Sequence, residues 1–159
     1  MNKTGICGIF AAASLALAAF TLNTSASAKS ADAGLPFPYA KVKTDGTFAM
    51  GRKFTVQAVV QTISKEEAVD KITAYLLTDG DTISAANKEM GYVSAQQPVA
   101  GSDGHKTVTV NFSIRDRDEK TKLVTITIAM PGGCAIGKEG IVRGFADTLD
   151  QLGKPWEVQ

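Results

Sequence analysis

Histidine, tryptophan and cysteine are nearly missing from this chain: its 159 residues include one His, one Trp and two Cys. With His105 the only imidazole, a zinc-type site lacks ligands, and a Ser-His or Cys-His pair would need His105 itself to reach the nucleophile. His105 sits in Gly101-Ser102-Asp103-Gly104-His105-Lys106, which reads as a surface turn. An excess of one charge is missing too, since 17 Lys and Arg face 16 Asp and Glu. That balance, with no run of one sign, gives no electrostatic footprint for nucleic acid or an anionic membrane surface. Arg115-Asp116-Arg117-Asp118-Glu119-Lys120 mixes both signs, as a solvated hairpin tip does. No internal repeat or low-complexity tract is present.

At the N-terminus, Lys3 precedes an apolar run from Ile6 to Leu22, and Ala26-Ser27-Ala28 follows as a small-residue cleavage site. The run is shorter than the ~20 residues that span a bilayer and is broken by Gly8 and Ser14. We therefore expect residues 1–28 to be a cleaved signal peptide, the protein to be periplasmic, and no membrane span to remain. Cys7 precedes most of the apolar core, the wrong place for a lipid-modified cysteine, and leaves with the signal. Loss of Lys3 leaves 16 basic residues against 16 acidic ones. Cys134 is then the sole thiol, so no internal disulfide forms and stability must come from a core. The remainder is one domain's worth of chain. Residues 29–52, rich in Gly, Pro and small polar residues, read as an extended arm with a turn at Thr44-Asp45-Gly46-Thr47, and residues 53–159 as a single α+β domain.

Within that domain Phe54, Val56, Ala58 and Val60 alternate with Thr55, Gln57, Val59 and Gln61, the period of a half-buried strand. Ser64 and Glu67 form a capping box that starts a helix at Lys65. Ala68, Val69, Ile72, Tyr75 and Leu76 fall on its apolar stripe, and Asp79-Gly80 ends it. Ile83 and Ala85, then Tyr92, Val93 and Ala95, mark two short strands around the turn Asn87 to Gly91. Val108, Val110, Phe112 and Ile114, then Val124, Ile126, Ile128 and Met130, alternate with mainly Thr, Asn and Ser in the clearest hairpin of the chain. Threonine on the outward positions keeps a strand-forming yet polar face toward water, the one-sided burial of an antiparallel sheet. Pro131-Gly132-Gly133 breaks the last strand, and a second helix spans about 138–152 with Ile141, Val142, Phe145, Leu149 and Leu152 on one stripe. Trp156 is expected to pack against the domain. Two helices with one stripe each cover one sheet face, so the spacing predicts a two-layer α+β domain of order β-α-β-β-β-β-α, both helices on one face.

That order, with Asn87-Lys88-Glu89-Met90-Gly91-Tyr92-Val93-Ser94-Ala95 as the turn into a strand, resembles the helix-grip or TATA-binding-protein-like arrangement over about residues 54–152. It is similar to the domains of the lipoprotein of the outer-membrane barrel-assembly machine. The resemblance implies a periplasmic domain that binds other proteins without catalysis. This chain lacks the lipobox and has a single such domain, so no specific partner carries over.

Gly132-Gly133-Cys134-Ala135-Ile136-Gly137-Lys138 has the spacing of a phosphate-cradling loop, but Glu139 stands where such a loop needs Ser or Thr, and its carboxylate would repel phosphates. Cys134, near a helix start and Lys138, is a candidate reactive thiol or the link of a disulfide-bonded homodimer, against the alternative of a buried inert cysteine. Phe37 and Tyr39 in Pro36-Phe37-Pro38-Tyr39 are candidates for an interaction arm, against packing back on the domain. Glu66-Glu67 suits a helix start better than acid-base work. No cofactor or metal is expected. The expectation is a non-catalytic module binding an envelope protein or component. The alternatives are a small apolar ligand held between helices and sheet, and a hydrolase using carboxylates or Cys134.

Overall fold

The protein is described by a computed structural model covering residues 34–61, 63–99 and 106–159. The expected signal peptide and His105 lie outside the described residues. The alternation from Phe54 becomes β2 (Gly51–Gln61), and the Ser64 half of the expected capping box opens α1 (Lys65–Thr78). The Ser64 hydroxyl accepts from the Glu67 amide at 3.0 Å, while the Glu67 carboxylate turns to Lys71 at 2.9 Å, one helical turn on. Gly80, at φ 89°, makes the left-handed exit that a side chain would resist. Then follow β3 (Thr82–Asn87), β4 (Tyr92–Pro98), β5 (Thr107–Asp116), β6 (Thr121–Met130) and α2 (Lys138–Leu152).

Two strands were not foreseen, β1 (Lys43–Thr47) and β7 (Trp156–Val158). Residues 44–47 are therefore strand rather than turn, and the reversal falls at 48–50. In-register pairing with β2, Lys43 opposite Thr55 through Thr47 opposite Gly51, overrides the local turn preference of Asp-Gly. The segment 34–52 thus contributes a short 3-10 turn (Tyr39–Lys41), β1 and the start of β2. It adds Phe37 and Val42 to the core.

All pairings are antiparallel, in the order β1-β2-β6-β5-β4-β3, with β7 also against β2. β1 and β7 share one edge of β2, β1 opposite residues 51–55 and β7 opposite 58–60. The core lies between one sheet face and both helices. Phe54, Val56, Phe112, Ile114, Ile126 and Val124 come from the strands, and Ile72, Ile141, Phe145 and Leu149 from the helices. This is the α+β arrangement expected, with one strand added at each end. Trp156 packs edge-on against Phe37, ring centroids 6.3 Å apart, and donates its indole N–H to Asp150 at 2.7 Å.

The β1–β2 reversal is tied to the loop after β6. The Gly133 amide donates to the Phe48 carbonyl at 2.8 Å, and a Cβ on Gly132 would run into the Ala49 carbonyl. The Arg52 guanidinium donates to the Cys134 carbonyl at 3.2 Å and lies 5.3 Å from the Phe54 ring centroid, a cation–π distance.

Truncating Phe112, fully buried at the centre of β5, should cost about 3–5 kcal/mol in urea unfolding of Phe112→Ala. Thr125→Val, on the opposite face, should stay within about 0.5 kcal/mol.

Candidate functional site

Strand alternation sends Thr55, Thr127, Asn111 and Ser94, neighbours in register across β2, β6, β5 and β4, to the face opposite the helices. The next row is Gln57, Thr125, Ser113 and Tyr92. These side chains bond to one another. Thr55 and Thr127 share a hydrogen bond of 3.3 Å, Gln57 Nε2 donates to the Thr125 hydroxyl at 3.4 Å, and the Tyr92 hydroxyl donates to Asn111 Oδ1 at 2.9 Å. Both helices lie on the other face, so the hydroxyl- and amide-rich surface over β2, β6 and β5 stays open among the described residues, while at β4 Ser94 is buried and hydrogen-bonded to Ser84 at 3.0 Å. It can donate and accept hydrogen bonds over several strands, and it holds no nucleophile–base pair.

Toward β1 the face deepens into an open groove of about 440 Å³, lined by Lys41, Lys43, Asp45, Lys53, Thr55, Gln57, Thr127 and Gln159. It lies where the edge of β2 passes from β1 to β7, and the Gln159 amide donates to the Gln57 carbonyl there at 2.9 Å. At the hairpin tip beyond it Phe48 and Met50 are 53% and 88% exposed.

The residues singled out from the sequence do not converge. Phe37 is buried against Trp156, so it offers no surface to a partner. Tyr39 is half-buried, hydrogen-bonded to Thr44 at 3.1 Å, with the Lys138 ammonium 5.1 Å from its ring centroid. The pair is an inward anchor at the sheet edge, because ring burial outweighs exposure. Lys138 is thereby held over Tyr39 and Glu139 pairs with Arg143 at 2.9 Å, leaving the glycine-rich loop as a strand-to-helix connection. Cys134 is buried and unpaired, three residues before the α2 N-cap Gly137. Its sulfur is reached from outside only if the loop opens. Among the described residues no three His, Cys, Asp or Glu side chains are placed to hold a metal ion.

Sequence reasoning missed Asp81. It follows the α1 exit, and its amide caps the Leu76 carbonyl at 2.9 Å, which draws the side chain inward. The residue is 7% exposed, and its Oδ1 has no hydrogen-bond partner. Burial, and then the nearby Asp79, push its carboxyl from 3.8 up to about 6. Asp81 lines a crevice of about 20 Å³ between helices and sheet, shared with Tyr75, Gln97, Phe145 and Thr148. Burial chiefly, with Asp79, Asp147 and Asp81, raises the Tyr75 phenol too. A volume of this size holds about one water molecule. The only hint in the sequence was an Asp-Gly-Asp at a helix end, which is ordinary turn composition. No protein-family model matches the chain, and no curated protein matches it.

A carboxyl raised on folding favours the folded state below its unfolded value, and that contribution is lost as pH rises through about 6. Asp81→Asn should therefore be more stable than the parent by roughly 1–2 kcal/mol at pH 7.5, the advantage fading between about pH 6 and 4. Urea titrations across that range check it. For Cys134, a thiol reagent should react with the native protein far more slowly than with the unfolded chain, at the rate at which its loop opens, and non-reducing electrophoresis should show no disulfide-linked dimer.

Proposed function

We propose that this chain is an exported, periplasmic, non-catalytic binding domain that meets an envelope protein through the open face of its sheet. The observation that carries the reading is the uncovered, hydroxyl-rich face of Thr55, Thr127, Asn111, Thr125 and Ser113, continuous across β2, β6 and β5. Such a face offers many hydrogen bonds and little apolar area, which suits a specific, separable contact rather than a permanent one. Export rests on the pattern of residues 1–28. The resemblance in element order to domains of the barrel-assembly lipoprotein points the same way, toward protein binding. A small apolar ligand would need roughly 300 Å³ or more of pocket, and the crevice between helices and sheet is about 20 Å³.

A photo-crosslinking residue at Thr125 should capture a discrete envelope protein in living cells, whereas the same residue at Asp147, on the outer side of α2, should not. Thr127→Arg should abolish the Thr125 adduct while leaving the unfolding free energy within about 0.5 kcal/mol of the parent. Equal labelling from both positions, or none from Thr125, would refute the reading.

A further inference from the structure

The two edges of the sheet differ. β3 is kinked by a register shift between Ile83 and Ala85, a device that spoils an edge as a template for another strand. β1 pairs with β2 in unbroken register, ends the strand path, and has no other described strand beside it. Because Lys43 pairs across from Thr55 and Asp45 across from Lys53, β1 forms one wall of the groove on the open face. There the ammonium groups of Lys41, Lys43 and Lys53 outnumber the carboxylate of Asp45. Lys43 approaches Asp45 at 3.6 Å, while Lys41 and Lys53 make no ion pair among the described residues.

An edge strand accepts an extended chain, and the strand period places every second side chain of that chain on the open face, next to Lys43 and Asp45 of β1 and one strand further from Lys53 of β2. The local excess of ammonium groups favours carboxylates at those positions. No aromatic ring lines the groove, so the stacking surface that a base or sugar ring would use is missing. Exposed Phe48 and Met50 continue the contact beyond the charged part.

We infer that the β1 edge binds an extended segment of a partner protein carrying Asp or Glu at alternate positions, added to the sheet as a further strand. This rests on the reading of the chain as a binding domain and specifies the chemistry of its partner. Edge lysines also serve to repel other copies of a protein, and the experiment separates that role from docking.

The exported protein is titrated with a peptide of about ten residues alternating glutamate and threonine, and with its lysine–threonine counterpart. Affinity is read by fluorescence anisotropy, and the footprint by amide hydrogen exchange. The glutamate peptide should bind about tenfold or more tightly than the lysine peptide at ~0.15 M salt and should slow exchange in Lys43–Thr47. Lys43→Glu with Lys53→Glu should reverse the preference, and Lys41→Glu alone should weaken glutamate-peptide binding should the double variant fail to fold. Equal binding of the two peptides, protection at β3 instead of β1, or a response to polyphosphate but not to the glutamate peptide would overturn the inference. So would self-association of the double variant with unchanged peptide preference. If the Thr125 adduct persists in the double variant while no peptide binds, the edge inference fails and the binding-domain reading stands.

Discussion

Every element of this domain depends on one constraint: a seven-stranded antiparallel sheet with a single apolar face must have that face covered. β2 is where the constraint is met most densely. Its alternate residues Phe54, Val56, Ala58 and Val60 are buried under the helices, while its backbone is bonded to β6 along one edge and to β1 and β7 along the other. Area burial of this kind is the dominant favourable term in folding. A disulfide contributes nothing among the described residues, where Cys134 is unpaired.

The same constraint leaves the other face unclaimed. Side-chain period two sends Thr, Asn, Gln and Ser outward wherever their neighbours go inward, and the strands then align those residues into rows joined by hydrogen bonds such as Thr55 to Thr127. The polar face follows directly from the core that the other residues build. Its boundary with the groove is set by the handover of one edge of β2 from β1 to β7, which brings residues from both ends of the described chain beside Gln57.

Charges follow a similar division. Most ion pairs are exposed, such as Lys88 with Asp70 and Lys154 with Asp150, and pairs of this kind contribute little to stability. Asp81 is the exception, a carboxylate drawn under the α1 exit with one oxygen unpartnered. It opposes the fold at neutral pH in the region where α1 turns into β3.

Elements whose signal is local are legible in the chain. The capping pair Ser64 and Glu67, the stripe of α2 and the long alternations in β2, β5 and β6 all write their periodicity into consecutive residues, because burial on one face repeats every 2 or 3.6 positions. The α+β class follows from them. Long-range pairing made β1 and β7, whose five and three residues carry too little periodicity to read and become strands against β2. Tertiary contacts chose between the open alternatives by turning Phe37 inward onto Trp156 and burying Cys134, and they also buried Asp81 and brought Lys41, Lys43 and Lys53 to one groove. Those positions are set by contacts between segments distant in the chain, which no local pattern records.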